Sequence, residues 1–421
     1  MSSDWRSIKL AEVTTKIGSG QTPRGGKDVY NGGEYALIRS QNVYNDGFSV
    51  GGLAYIDQNQ AQELSNVEVR FGDVLLNITG DSVARCCGVP QWLIPARVNQ
   101  HVCILRADPV YLDSGFLRYF IVTPSCQGQL LSLASGGATR NALTKGMLDS
   151  LEIIFPPLRE QKAIAHILGT LDDKIELNRK TNETLEAMAK ALFKSWFVDF
   201  DPVRAKADGR PTGLPVEISD LFPDSFEDSE LGEIPSGWSV EALSDIAQIS
   251  TGKRPVSVAE SRSSANNIPV FGGAGVMGYT CSALTDGEPI LTTGRVGTLG
   301  VVNRVIEKVW ISDNTLIINP GRNNFVYVYL FLLRQDLKSL NRGSTQPLLS
   351  QTELKSLPIA KPPASVLSVF CELTQHWQER QSTLLKENVN IKALLDTLLP
   401  KLISGEIRIP DAEKMLEEVD I

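Results

Sequence analysis

Histidine is scarce in this chain, its cysteines follow no pattern, and no apolar stretch is long. The three histidines, His101, His166 and His376, stand in unrelated contexts. A metal centre needs ligands grouped at short spacing, so none is expected. The six cysteines, at 86, 87, 103, 126, 281 and 371, form no C-x-x-C pair and no ladder. They read as reduced, buried thiols of a cytoplasmic protein. No apolar run approaches the ~20 residues that cross a bilayer, and the start MSSDWRSIKL has no signal-peptide core. A Walker loop, H-E-x-x-H and G-x-S-x-G are all absent. So is the Asn/Asp-Pro-Pro-aromatic motif of an adenine methyltransferase. Phe155-Pro-Pro157 and Lys361-Pro-Pro363 read as junctions between a domain and a helix. The scattered carboxylates offer no catalytic pair, and no catalytic residue is assigned.

A net charge of −8 argues against nucleic acid only until it is located. Residues 198–237 hold ten carboxylates against three basic side chains, a net charge of −7. The flanking segments are close to neutral and rich in arginine. An acidic connector says little about what its neighbours bind. At 421 residues the chain is too long for one core.

The chain repeats itself. GGATRNALTKGMLDSLEIIFPP (136–157) matches RGSTQPLLSQTELKSLPIAKPP (342–363) at a fixed shift of 206, which superposes Gly137 on Gly343, Leu148 on Leu354 and Pro156-Pro157 on Pro362-Pro363. Upstream, KIGSGQTP (16–23) resembles QISTGKRP (248–255), GDVLLNITG (72–80) resembles GEPILTTGR (287–295), and RVNQHVCILRAD (97–108) resembles WISDNTLIINPG (310–321). Each half opens near a tryptophan, Trp5 or Trp238, before a short helical pattern.

A long helical segment follows each half. In the first, Ile164, Leu168, Leu171, Ile175, Asn178, Asn182, Leu185, Ala189, Leu192 and Trp196 alternate steps of four and three, a coiled-coil seam. At ~1.5 Å per residue it would reach roughly 60 Å. In the second, Phe370, Leu373, Trp377, Leu384, Ile391, Leu394, Leu398 and Leu402 make the stripe, interrupted by Arg380 and Glu387. Trp196 and Trp377 read as seam packing. Asn182 aligns with Asn388; such residues either fix register as polar seam positions or simply face water. Neither stripe is stable alone, so the helices are expected to pack together, antiparallel, with a globular domain at each end. Half-sites on DNA lie about 34–36 Å apart, within reach of such a rod.

The block FPPLREQKAIAHILGTLDDKIELNRKTNETLEAMAKALFKSWFVDFDPVRAK resembles the central region of type I restriction-modification specificity subunits. LFPDSFEDSELGEIPSGW (221–238) and LLPKLISGEIRIP (398–410) are similar to the same family. The resemblance covers the whole chain. It implies an α+β fold: two similar mixed α/β target-recognition domains separated by an antiparallel two-helix coiled coil, with internal pseudo-two-fold symmetry. The expected segments are a first recognition domain (1–157), a first spacer helix (158–198), an acidic linker (199–237), a second recognition domain (238–363), and a second spacer helix with the tail (364–421). The resemblance further implies that each recognition domain reads one half of a bipartite double-stranded DNA target in the major groove. Two methylation subunits and two restriction subunits dock on the scaffold. S-adenosylmethionine, ATP and Mg belong to those partners, and no cofactor binds this chain.

Gly273-Ala-Gly275-Val-Met-Gly278 is a literal G-x-G-x-x-G. A dinucleotide fold needs a helix after the glycines and an acid about 20 residues on. Neither is present, so 272–278 reads as a tight turn between strands rather than the cofactor loop of a stand-alone methyltransferase. For DNA contacts, Arg39, Gln41 and Asn42 follow a strand and offer bidentate groups, Arg for guanine and Asn or Gln for adenine. Arg140 and Asn141 sit in a glycine-led loop, as do Ser344 and Gln346. Arg295 follows a glycine, and Lys253-Arg254 occupy the first loop of the second domain. For each, the alternative is a solvated loop residue or a phosphate contact.

Overall fold

A computed structural model describes residues 5–25, 29–30, 32–136, 141–343 and 347–417. The described chain forms two compact units. One combines residues 1–179 with 385–421, and the other spans 180–384. Two long helices, Leu158–Phe197 and Ala364–Ser404, therefore contribute to both units.

The two halves of the chain share one four-stranded sheet, one parallel pair and one closing antiparallel pair. In the first, an antiparallel sheet has the order Thr14–Ser19, Val102–Ala107, Val74–Asn77, Cys86–Gly88. In the second the order is Gln248–Thr251, Thr315–Asn319, Ile290–Gly294, Val302–Val305. Each half adds a second sheet containing one parallel pair: Tyr35–Ile38 with Ala96–Val98, and Ile268–Gly272 with Trp310–Ile311. Each closes with an antiparallel pair, Arg6–Lys9 on Glu152–Phe155 and Ser239–Ala242 on Pro358–Lys361. The strand after each opening tryptophan precedes a single helical turn, Leu10–Glu12 or Leu243–Ile246. The short helical pattern read from the sequence is thus a strand followed by one turn.

The central strands are mostly apolar because both of their faces are buried. In a strand successive side chains point to opposite faces. Val74, Leu76, Cys103 and Leu105 join the cluster formed with the helix Ser114–Val122 and the long helices. Leu75, Val102 and Ile104 join the cluster under the second sheet with Leu37, Ile38 and Val98. In the second half Leu291, Leu316 and Ile318 face the helix Phe325–Arg334, and Ile290 faces Val305, Val309 and Ile311.

The shift of 206 holds in the coordinates. The short helices Lys145–Asp149 and Gln351–Lys355 obey it, as do the strands Glu152–Phe155 and Pro358–Lys361 and the first residues of the two long helices. Pro157 and Pro363 precede those first residues and suit a helix start, where no N–H partner is lost. Upstream, one alignment slips. The ladders place Val74 opposite Leu105 and Leu291 opposite Ile318. The strand at 290 therefore matches two residues later than the similarity of GDVLLNITG to GEPILTTGR suggests, and Gly80 corresponds to Gly297. Their amides confirm the pairing: Gly80 donates to Asn141 O at 3.1 Å, and Gly297 to Pro347 O at 3.0 Å.

The long helices pair antiparallel within each unit. In the first unit Ile164, Leu168 and Leu171 pack with Ile391, Leu395, Leu398 and Leu402. In the second, Phe193, Trp196 and Phe197 pack with Val366, Leu367 and Phe370, and Phe197 meets Phe370 edge-to-face at 4.9 Å. The seam of the second helix runs through the buried Thr374 and Gln381, and Leu373 is exposed. Reading it through Leu373 failed because these seam positions carry polar side chains. Leu394 packs partly buried against the core beside the buried Leu395. In the first unit Asn178 donates to Asn388 Oδ1 at 2.9 Å, and Asn388 donates to Ile175 O at 3.3 Å. In the second, Gln381 donates to Asn182 O at 3.0 Å. Asn388 is therefore a polar seam residue, which disfavours a slipped register because slippage would leave buried amides unpaired.

Each head is also tied to a long helix by an arginine, but from opposite directions. In the first half Arg118 rises from the helix Ser114–Val122, passes Gly88, and pairs with Asp172 at 2.8 Å. Tyr119 donates to the same carboxylate at 2.7 Å. Burial pushes the Tyr119 phenol well above its ordinary pKa, against the pull of Arg118, so it stays a donor. In the second half the ladder places Arg304 where Gly88 stands in the first. Arg304 lies 5.0 Å over the ring of Tyr329, on the helix Phe325–Arg334, and reaches Gln381 at 3.3 Å. The guanidinium has changed element while keeping its place between sheet and rod.

Phe370 is fully buried amid Phe193, Trp196 and Phe197. Phe370→Ala should cost the second unit about 3–5 kcal/mol, read as a lower urea midpoint; a loss below about 1 kcal/mol would mean that the aromatic cluster does not hold this end of the helix pair.

Candidate nucleic-acid interface

Each half carries an open cleft, and three of the loops around it occupy equivalent places in the sheets. In the first half, about 400 Å3 is bounded by the loop after Tyr35–Ile38 (Ser40, Gln41, Tyr44), the loop after Val74–Asn77 (Thr79 to Ser82, then Arg85), and His101 before Val102–Ala107. In the second, about 650 Å3 is bounded by the hairpin after Ile268–Gly272, by Thr298, by Ser312 to Asn314 before Thr315–Asn319, and by Arg254 to Val258. The ladders and loop hydrogen bonds make these loops equivalent: Asn99 N donates to Ile38 O and Ser312 N to Phe271 O, both at 3.0 Å. Gly20 and Gly252 pass so close to the neighbouring backbone that a Cβ would fall 2.1–2.2 Å from a carbonyl oxygen. Glycine is required at both positions.

The cleft chemistry is mixed rather than purely basic. In the first, Arg85 supplies donors, and Gln41 Oε1 and Asp81 supply acceptors. Gln100 Nε2 lies 3.1 Å from His101 Nε2 and Thr79 Oγ1 lies 2.6 Å from His101 Nδ1, so both ring nitrogens are already engaged. In the second, Arg254, Asp313 and Asn314 stand beside the apolar Val256, Val276 and Met277, all three exposed. Donors, acceptors and apolar groups together suit base edges, where phosphate binding alone would need only positive charge.

The sequence candidates divide accordingly. Gln41 is exposed and lines the first cleft, donating to Gly51 O and Gly52 O at 3.3 and 3.2 Å. Arg39 is half-buried, lies 5.5 Å over the Tyr30 ring and donates to Gly52 O, so its guanidinium braces the 49–52 loop. Asn42 is 0% exposed: it accepts from Arg39 N at 3.0 Å and donates to Ser49 O and Gly51 O at 2.9 and 3.2 Å. Asn42 is a loop brace, which corrects its reading as an adenine contact. Asn141 is exposed, its carbonyl anchoring Gly80 beside the first cleft. Arg254 lines the second cleft, whereas Lys253 is exposed with its carbonyl bound by Trp310 Nε1 at 2.7 Å. Arg295 is half-exposed; its backbone corresponds to Ile78 and bonds Asn314 O and Leu349 N at 2.8 and 2.9 Å. Arg140, Ser344 and Gln346 lie outside the described residues. Sequence reasoning missed Tyr44, Thr79, Asp81, Arg85 and His101. The glycine after each central strand, Gly80 and Gly297, was the available signal.

The G-x-G-x-x-G resolves into a hairpin. Gly272 pairs with Gly275, and Gly275–Thr280 continues as a strand where a cofactor loop would start a helix. A Cβ on Gly273 would fall 2.8 Å from Gly294 Cα, which explains the glycine by packing alone. Among the described residues no cluster of His, Cys, Asp and Glu could hold a metal, and no helix is long and apolar enough to cross a membrane.

The contrast between Asn42 and Gln41 is testable. Asn42→Ala removes three buried hydrogen bonds and should cost about 2–3 kcal/mol of stability, whereas exposed Gln41→Ala should cost less than about 1 kcal/mol. Denaturation midpoints of the two variants check this; equal losses would contradict it.

Comparison with known proteins supplies the family. The family described as Type I restriction modification DNA specificity domain matches residues 2–187 and 235–390, once in each half. The chain is 28% identical to the type I restriction enzyme HindI specificity subunit of Haemophilus influenzae over 96% of this chain and 100% of that one. It is 24% identical to the MjaIX specificity subunit of Methanocaldococcus jannaschii, over 97% and 94%. The S subunit of a type I restriction-modification system from M. genitalium shares the fold, with a TM-score of 0.62 at 17% identity over 94% of this chain and 96% of that one. With a matching domain in each duplicated half, the chain belongs to the type I restriction-modification DNA specificity family.

Proposed function

We propose that this chain is the non-catalytic, sequence-specific DNA-recognition subunit of a type I restriction-modification complex, with each half reading one half of a bipartite target. The observation that carries this reading is the pair of equivalent clefts. The same four-stranded sheet and the same close glycine contact recur in both halves, while the loops and side chains lining the clefts differ. A constant scaffold with divergent loops is the arrangement expected when two sites do one task on different sequences. The mixed cleft chemistry favours base edges. The family acts with DNA and assembles with the other subunits of these systems. In the complex we assign methyl transfer and cleavage to two methylation and two restriction subunits in the cytoplasm, with S-adenosylmethionine, ATP and Mg bound there. A stand-alone methyltransferase is disfavoured because its cofactor loop would have to be the 272–278 hairpin.

Exchange of residues 1–157 for those of another family member tests the division of labour. The cut keeps Glu152–Phe155 with its partner strand Arg6–Lys9. Mapping methylated sites in cells carrying the exchanged subunit and its methylation partners should show one half of the target changed and the other retained. Change in both halves would refute independent reading.

A further inference from the structure

Arg85 was not among the candidates offered by the sequence, yet it occupies the most constrained position in the first cleft. Its guanidinium lies 4.7 Å over the ring of Tyr44, itself a cleft residue. Among the described residues that guanidinium has no hydrogen-bond acceptor or carboxylate partner. Asp81 lines the same cleft without pairing to it.

The backbone that presents Arg85 is held on every side. Ala84 just before it is fully buried with φ +71°, a conformation unfavourable for alanine. Ala84 N donates to Asn77 O at 2.9 Å, and Ala84 O accepts from Gln127 Nε2 at 2.8 Å. Arg85 N donates to Ser82 O at 3.2 Å, its carbonyl accepts from Asn77 N at 2.8 Å, and Cys86 N donates to Asn45 Oδ1 at 2.9 Å. A turn so braced fixes where the side chain starts, and the aromatic face restricts where it goes. A planar fork held in one orientation, with its donors unspent, suits bidentate recognition better than a diffuse phosphate contact.

The second half shows what changes when the guanidinium is absent. The ladders equate Cys86 with Val302, so the position of Arg85 is taken by Val301, beside a cleft wall carrying Val276 and Met277. The scaffold is kept and the reading chemistry is replaced. That is the signature of a specificity position.

We propose that Arg85 is a specificity-determining residue of the first half, donating from its guanidinium fork to O6 and N7 of one guanine in the major groove. This rests on the reading of the cleft as the DNA site. The test uses the full chain assembled with its methylation partners, comparing wild type with Arg85→Ala, Arg85→Lys and a Gln41→Ala/His101→Ala double variant. Thermal melting confirms folding, and mapping of methylated sites gives the motif. The half-site assigned to residues 1–157 should contain a guanine at which Arg85→Ala loses about 10-fold or more in discrimination, the scale of one bidentate pair. Arg85→Lys should fail to restore it. All other positions, and the whole second half, should be retained. An unchanged motif, or uniformly weaker binding with a reduced salt slope and every base still required, overturns the proposal. If the double variant alters binding while Arg85→Ala leaves the motif intact, only the role of Arg85 fails. If neither changes binding or motif, the cleft itself is not the DNA site.

Discussion

The pairing of two long helices is the constraint on which the rest of the structure depends. Neither helix could remain folded in water with its apolar stripe exposed. Each compact unit therefore takes one helical segment from the first half of the sequence and one from the second. Leu168 and Leu171 meet Leu395 and Leu398 in one unit; Phe193 and Phe197 meet Phe370 in the other. In the first unit the head and the helical segment that completes its core are thus separated by more than two hundred residues. The amides of Asn178 and Asn388 add a penalty for slippage, because any shifted pairing would bury unpaired polar groups.

On that base the sheets serve as rigid mounts. Buried on both faces, the central strands tolerate little change, while their connecting loops are free to diverge. The Arg118 and Arg304 contacts illustrate how duplicated halves drift. Each places a guanidinium between sheet and helix, one from a helix and one from a strand, with Asp172 or Gln381 as partner. Only the physical need for a polar tie at that junction was kept. The clefts drift in the same way: the strands beside them are shared, and the loops and the donors, acceptors and apolar groups they display are exchanged.

Much of the architecture was legible because it rests on signals written in the sequence itself. The Pro-Pro junctions, the shift of 206 and the three-four periodicity located both long helices and the repeated ending of each head. What failed did so where burial and polarity part company. Thr374 and Gln381 hide the true seam behind Leu373, since a pattern search follows hydrophobicity and not contact. The offset of two residues between the central strands arises because glycine-rich loops of different length align easily in several registers. Asn42 has the chemistry of an adenine contact, but its amide is consumed by local backbone groups, a choice that side chains of this type make often and that sequence does not reveal. Arg85 was passed over for the opposite reason: its exposure depends on a strained turn at Ala84 that no composition rule announces.

The central claim is that both halves meet DNA through equivalent loops on a shared scaffold. Hydrogen exchange of the chain in its methylation complex, with and without a duplex carrying the mapped target, tests it most directly. The account predicts slowed exchange together at 40–44, 79–85 and 99–101 in the first half and at 254–258, 273–277 and 312–314 in the second, with the long helices unchanged. Protection confined to one half, or lying away from these loops, would contradict it.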